Sequence, residues 1–138
     1  GKPAKTARYE KVSETSRQGK PAYAAMVESV DDSVGRVMTT LRELNLDERT
    51  LVIFTSDNGG FAKATSNAPL RANKGSNYEG GLRVPFIISW PGRTTPGSVS
   101  TEPVIGMDLY PTILSTVGLS LRPHQHIDGE SLVPVQCL

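Results

Sequence analysis

The chain has 138 residues, the size of one ordinary domain or of part of a larger one. Fifteen Lys and Arg against fourteen Asp and Glu give a formal net charge of +1, which argues against a nucleic-acid binder held by bulk positive charge. The single cysteine, Cys137, excludes an internal disulfide and a thiolate zinc cluster. No apolar run approaches the roughly 20 residues that a membrane-spanning helix needs.

The first segment, 1–20, is polar and mixed in charge. This composition predicts a solvated lead-in with a short helical piece around Arg8 to Ser16. The chain opens at Gly1 with neither Met nor a signal-like apolar stretch, so we expect an internal start within something longer.

The next segment carries a helical stripe, in which apolar residues recur every three or four positions from Tyr23 to Leu46. Pro21 suits the first turn of such a helix, where its missing N–H costs nothing. Gly35 interrupts the middle of the helix at a cost of about 1 kcal/mol relative to Ala, which predicts close packing against a neighbour there. The stripe consists of Met26, Val30, Val34, Val37, Leu41 and Leu44.

A continuous apolar, β-branched run at 50–55 predicts a parallel strand that is covered on both faces. Asp57 and Asn58 follow it at once, at the carboxyl end of the strand, where open α/β sheets place their ligands. Their carboxylate and amide oxygens suit a hard cation. Followed by two glycines, the pair is also ordinary turn chemistry, and the residues alone leave both interpretations open.

Residues 61–81 form a long segment without strong periodicity, which predicts a functional loop or a disordered one. Lys74, and as a second candidate Arg71, could hold an oxyanion such as sulfate or phosphate, the alternative being simple exposure to solvent. The end of this segment predicts a tight turn with Glu79 paired to Arg83. A second strand is predicted over 82–90.

The remaining chain predicts a short strand over Val104–Gly106 and a helix that Met107 or Asp108 caps and Gly118 ends. A His-x-His pair follows in an irregular, Pro-flanked segment, where surface histidines are the simpler interpretation and a metal site the weaker one. That pair is His124 and His126, with Asp128 close behind.

Four stretches of this sequence together resemble one known family. They are YAAMVESVDDSVGRVMTTLRELNLDERTLVIFTSDNGG, LRANKGSNYEGGLRVPFIISWPG, MDLYPTILSTVGL and IDGESLVP. In this order and spacing they resemble the second half of the catalytic domain of a type I sulfatase, of the arylsulfatase family in the alkaline-phosphatase superfamily. The resemblance extends from about Tyr23 to Pro134.

The resemblance implies an α/β fold in which this chain supplies part of a mixed, mainly parallel sheet sandwiched by helices, incomplete within these residues. The expected organisation is a polar lead-in (1–20), a partial catalytic domain (21–125) and a connection toward a C-terminal subdomain (126–138). Missing strands would leave open sheet edges and exposed apolar faces, which predicts self-association of the isolated chain.

The resemblance also implies a sulfuric ester hydrolase that uses calcium and a formylglycine nucleophile. Asp57 and Asn58 match the family's calcium ligands, and Lys74 matches the catalytic lysine that contacts the substrate sulfate. The resemblance places the formylglycine motif, C/S-x-P-x-R, upstream of the segments matched here. Ser89-Trp90-Pro91-Gly92-Arg93 has the same letters, but it lies within and just after the second matched stretch, not at the family's nucleophile position. We therefore expect this chain alone to be inactive toward sulfate esters.

Two alternatives to a sulfatase fragment stay open: a non-catalytic truncated module and a phosphoesterase of the same superfamily. The expected ligand is a sulfate-ester small molecule or a sulfated glycan, with no nucleic acid as partner. The family places such proteins in the periplasm, outside the cell or in lysosomes.

Overall fold

The structure of the chain, a computed structural model, describes residues 3–13, 20–125 and 128–133. The chain divides into two compact units, Gly1–Pro91 and Gly92–Leu138. Across the described residues, none of the helices has the length and apolarity that crossing a membrane requires.

Two helices open the first unit, α1 (Pro3–Ser13) and α2 (Pro21–Glu43). The helix predicted from the apolar stripe is confirmed, with Pro21 at its first turn. Asn45, just beyond its end, has a φ of 53°, a left-handed conformation that Asn tolerates better than most residues. The stripe stays largely exposed in this chain, with Val37 57% and Leu44 61% accessible.

Helix α1 packs against α2 through charged side chains. Arg8 Nη1 lies 2.7 Å from Glu28 Oε1, and Lys5 pairs with both Glu28 and Asp32. The hydrogen bond to Asp32 is the main cause that raises the pKa of Lys5 above its usual 10.5. The sequence predicts a helical piece around Arg8 to Ser16. The helix spans Pro3–Ser13, so it begins earlier than predicted, and residues 14–16 lie outside the described residues. Its docking depends on ion pairs rather than on an apolar stripe, which is why the pattern did not reveal its start.

The prediction of close packing at Gly35 is wrong. A Cβ built on Gly35 would meet nothing within 4 Å. Gly35 lies on an exposed part of α2, and no described residue occupies the space beside it.

Two strands follow, β1 (Val52–Thr55) and β2 (Phe86–Ser89). They pair antiparallel, with Val52 opposite Ser89 and Thr55 opposite Phe86. The apolar run of β1 predicts a parallel strand, whereas the partner that this chain provides is antiparallel. A run of apolar residues indicates that a strand is buried, but it does not indicate whether the neighbouring strand is parallel or antiparallel. A mixed sheet contains both parallel and antiparallel neighbours.

Between the strands lies the long loop predicted from the lack of periodicity, which closes with the one-turn helix α3 (Glu79–Leu82). The predicted pair of Glu79 with Arg83 is confirmed, with Glu79 Oε1 3.6 Å from Arg83 Nη1. Strand β2 begins only after Pro85, which has no N–H to contribute to a sheet.

The second unit is built around helix α4 (Leu109–Thr116), which follows a 3₁₀ turn at Gly106–Asp108. The predicted helix is confirmed, and Gly118 beyond its end has a φ of 72°. The predicted strand over Val104–Gly106 is wrong. The N–H of Ile105 donates instead to Asp108 Oδ2 at 2.8 Å, so it is not available to a strand partner.

The buried residues of this unit include two polar side chains, Thr112 and Asp108, beside the apolar Pro111 and Leu132. The hydroxyl of Thr112, which is 1% exposed, donates to the Asp108 carbonyl at 2.6 Å and accepts from the Leu132 N–H at 2.9 Å. Asp108 Oδ1 accepts from the Glu130 N–H at 2.9 Å. These bonds fasten the segment around Glu130 to the start of α4.

Candidate functional site

The turn that follows β1 presents the two predicted metal ligands. Ser56 Oγ donates to the Asn58 carbonyl at 2.9 Å, and Asn58 Nδ2 donates to the Gly59 carbonyl at 3.0 Å. The second bond uses the amide nitrogen of Asn58 and leaves its Oδ1 oxygen for a cation. Asp57 is exposed and Asn58 is half-buried, so both side chains are accessible to a ligand.

Three buried glycines join this turn to the far end of the long loop. The Gly59 N–H donates to the Gly81 carbonyl at 2.9 Å, and a Cβ on Gly59 would overlap the Gly80 carbonyl oxygen. A Cβ on Gly80 would overlap the Ala72 carbonyl oxygen, and one on Gly81 would overlap that of Ser76. The backbones of these segments approach so closely that only glycine fits.

Asn67 ties the same turn to the residues around Lys74. Its Oδ1 accepts from the Gly60 N–H at 3.0 Å, and its Nδ2 donates to the Gly60 carbonyl at 3.1 Å. Nδ2 also donates to Asn73 Oδ1 at 2.9 Å and, at 3.4 Å, to the Ala72 carbonyl. The Lys74 N–H reaches the Gly60 carbonyl at 3.0 Å. We call this arrangement of Gly60, Asn67, Ala72, Asn73 and the Lys74 N–H the Asn67 clasp.

The side chain of Lys74 is exposed, while its backbone is held beside the Asp57–Gly60 turn. Ala72, two residues earlier, has a φ of 66°, a conformation that persists in non-glycine residues only where surrounding contacts hold it. Arg71 stacks its guanidinium on the Tyr78 ring, 3.8 Å from the ring centre. The backbone of Lys74 is therefore bonded directly to Gly60, at the end of the turn that carries Asp57 and Asn58.

The oxygens of Asp57 and Asn58 fit calcium in kind but supply only part of its usual six to eight ligands. Across the described residues, no three His, Cys, Asp or Glu side chains gather into a group that could hold a metal ion. His124 is exposed, whereas His126 and Cys137 lie outside the described residues. The pair is thus suited to contribute to a calcium site rather than to form one by itself.

Sequence reasoning singled out Asp57, Asn58 and Lys74, and it missed Asn67 and the role of the glycines. The doublets Gly59-Gly60 and Gly80-Gly81 were a usable signal, since paired glycines often mark places where backbones approach closely. Asn67 had no such signal, because its partners are backbone groups that only the folded loop brings together.

Comparison with known proteins identifies the family. A family model described as Sulfatase matches residues 2–119. The chain is 47% identical over 124 residues to a protein named Sulfatase from Formosa agariphila, a match that covers 82% of this chain and 22% of the relative. It is 42% identical over 123 residues to Steryl-sulfatase from Mus musculus, covering 83% of this chain and 20% of the relative.

Among solved structures, the chain resembles Ps i-CgsB in complex with k-i-k-neocarrahexaose, with a TM-score of 0.88 at 36% identity. That match covers 98% of this chain and 30% of the other. The chain thus spans about a fifth of the two relatives and under a third of the solved structure. The expected fold, an incomplete α/β portion of a sulfatase-like domain, is confirmed by this likeness. The chain belongs to the sulfatase family, as a fragment of its catalytic domain.

Proposed function

We propose that Asp57, Asn58 and Lys74 belong to the active site of a sulfuric ester hydrolase. The observation that supports this most directly is the 3.0 Å hydrogen bond from the Lys74 N–H to the Gly60 carbonyl. This bond holds the backbone of Lys74, the predicted sulfate-binding residue, against the turn that presents the predicted metal ligands Asp57 and Asn58.

In this proposal Lys74 binds the anion. Its ammonium is a compact point charge that can offset the negative charge of a sulfate group. Asp57 and Asn58 would hold calcium, which when bound supplies Lewis-acid stabilisation of sulfate oxygens. In the family the nucleophile lies upstream of the segments matched here, so the part of these residues in the reaction is to bind and orient the sulfate rather than to attack it.

We propose a sulfated glycan as the substrate class. Support comes from the solved relative in complex with k-i-k-neocarrahexaose, to which this chain is similar over almost its whole length. Another relative is named for steryl sulfate, so a sterol ester is the competing outcome of a binding test. An exported or lysosomal compartment is a further prediction of the resemblance.

The test is a titration of the ¹⁵N-labelled chain with calcium and then with an aryl sulfate, followed by NMR. We expect weak calcium binding, in the millimolar range because the ligand set is partial. We also expect calcium-dependent shifts at Asn58 and Lys74 on addition of the sulfate ester. Asp57→Ala should abolish the response to calcium, and Lys74→Ala should abolish the response to sulfate.

Two matched variants serve as controls. Asp31 is an exposed aspartate on α2, and Lys63 is an exposed lysine of the same long loop. Asp31→Ala and Lys63→Ala should leave both titrations unchanged. Unchanged sulfate binding in Lys74→Ala would contradict the proposal, and stronger binding of an aryl phosphate than of the sulfate would favour a phosphoesterase.

A further inference from the structure

We propose that Asn67 is a positioning residue for Lys74: its side-chain amide fixes Lys74 against the turn that carries Asp57 and Asn58. As a statement about sulfate binding, the inference rests on the proposed function. As a statement about which residue holds Lys74 in place, it stands on hydrogen bonds alone.

The side chain of Asn67 pairs with the backbone of Gly60. Oδ1 of Asn67 accepts from the Gly60 N–H at 3.0 Å while Nδ2 donates to the Gly60 carbonyl at 3.1 Å. Both backbone groups of one residue are thus satisfied by one side chain, which fixes the position and the orientation of the amide together. Only a side chain with a donor and an acceptor side by side can do this.

Hydrogen bonds link this Asn67–Gly60 pair to the backbone around Lys74. The Gly60 carbonyl, already bound by Asn67, also accepts from the Lys74 N–H at 3.0 Å. Asn67 Nδ2 also contacts Asn73 Oδ1 at 2.9 Å and the Ala72 carbonyl at 3.4 Å. The amide therefore holds the turn after β1 with one set of bonds and the residues immediately before Lys74 with another.

The side-chain nitrogen of Asn67, Nδ2, faces three oxygen atoms, those of Gly60, Ala72 and Asn73. An ionised carboxylate at this position could still accept from the Gly60 N–H, but it would set an anion against three acceptors with no hydrogen to offer them. A protonated carboxyl group would regain one donor. Asn67→Asp is therefore a variant whose effect should depend on pH.

The experiment measures backbone amide hydrogen exchange by NMR in the 138-residue chain, with each variant compared with the native chain at the same pH. At neutral pH, Asn67→Asp should speed exchange of the Gly60 and Lys74 amides by roughly 10- to 100-fold, since several hydrogen bonds are lost together. As pH falls toward about 4, near the ordinary pKa of an aspartate, the difference should shrink.

The matched control is Asn77→Asp, which places the same change on an exposed asparagine of the same loop. It should leave exchange at Lys74 unchanged at every pH. Asn73→Ala, a milder variant that removes one acceptor of the Asn67 clasp, should speed exchange at Lys74 several-fold without unfolding the chain. It keeps the test decisive if Asn67→Asp fails to fold.

Three results would overturn the inference. They are unchanged exchange at Lys74 in Asn67→Asp and Asn73→Ala, equal acceleration of the amides of α2, and a pH-independent effect of Asn67→Asp. The second would show general destabilisation, and the third would show that the donor of the amide does not matter. Failure of the native chain to bind an aryl sulfate would refute the proposed function instead, leaving the exchange result to decide the role of Asn67.

Discussion

Gly80 offers a sharp test of how the loop is held together. A Cβ on this residue would overlap the Ala72 carbonyl oxygen and come within 2.6 Å of the Arg71 carbonyl oxygen. Both obstacles are backbone atoms, which cannot swing aside as a flexible side chain can. Gly80→Ala must therefore displace the segment at 71–72 or move α3, and either shift strains the hydrogen bond from the Gly80 N–H to the Arg71 carbonyl, 2.8 Å long.

The expected cost follows from these two effects. Overpacking costs about 1–3 kcal/mol, and a lost hydrogen bond costs about 1 kcal/mol more. We therefore expect Gly80→Ala to lower the free energy of unfolding by about 2–4 kcal/mol. The displaced segment leads directly to Lys74, so binding of an aryl sulfate should weaken as well.

The assay is urea unfolding of the chain followed by circular dichroism, with Gly35→Ala as the matched control. Gly35 has open space around it in the middle of α2, so the same substitution should raise the free energy of unfolding by about 0.5–1 kcal/mol. Opposite signs at the two glycines would support the reasoning. A Gly80→Ala chain as stable as the native one would refute the close approach of these backbones.

Two further predictions concern the rest of the chain. Thr112→Val keeps the shape of a buried side chain but leaves the Leu132 N–H without its acceptor. Urea unfolding should therefore show a free energy of unfolding lower by about 1–3 kcal/mol. The matched control, Thr101→Val at an exposed threonine, should change it by less than about 0.5 kcal/mol. The raised pKa of Lys5 means that its contribution to stability is complete at neutral pH and is lost as pH rises through the folded-state pKa, above its usual 10.5. Helical circular dichroism of the native chain should therefore fall as pH rises through the folded-state pKa of Lys5, whereas Lys5→Met should show the loss already at pH 7. Equal helical signals from the native chain and Lys5→Met at pH 7 would contradict this role.

Elements with a regular hydrophobic pattern could be predicted from the sequence. The stripe of α2, the apolar run of β1 and the stop at Gly118 each depend on neighbours in the chain, and the structure contains all three. The start of helix α1 could not be predicted, because its docking depends on Glu28 and Asp32, which lie 20 and 27 residues along the chain from Arg8 and Lys5.

The candidate site likewise contains residues that the sequence identifies and residues that only the fold identifies. Asp57, Asn58 and Lys74 stand out in the sequence because their residue types and family motif carry chemistry, and their assignment as ligands stays a prediction. Asn67 could not be predicted, since an asparagine in a loop gains its role only when the folded backbone brings Gly60 to it.

The most direct test of the central claim is a gadolinium titration of the ¹⁵N-labelled chain, since a lanthanide replaces calcium at oxygen ligands and broadens nearby NMR signals. We expect broadening to centre on Asp57 and Asn58, to extend to Gly60 and Lys74, and to disappear in Asp57→Ala. Broadening that spares Lys74, or that persists in Asp57→Ala, would contradict the claim that the metal ligands and the sulfate ligand share one site.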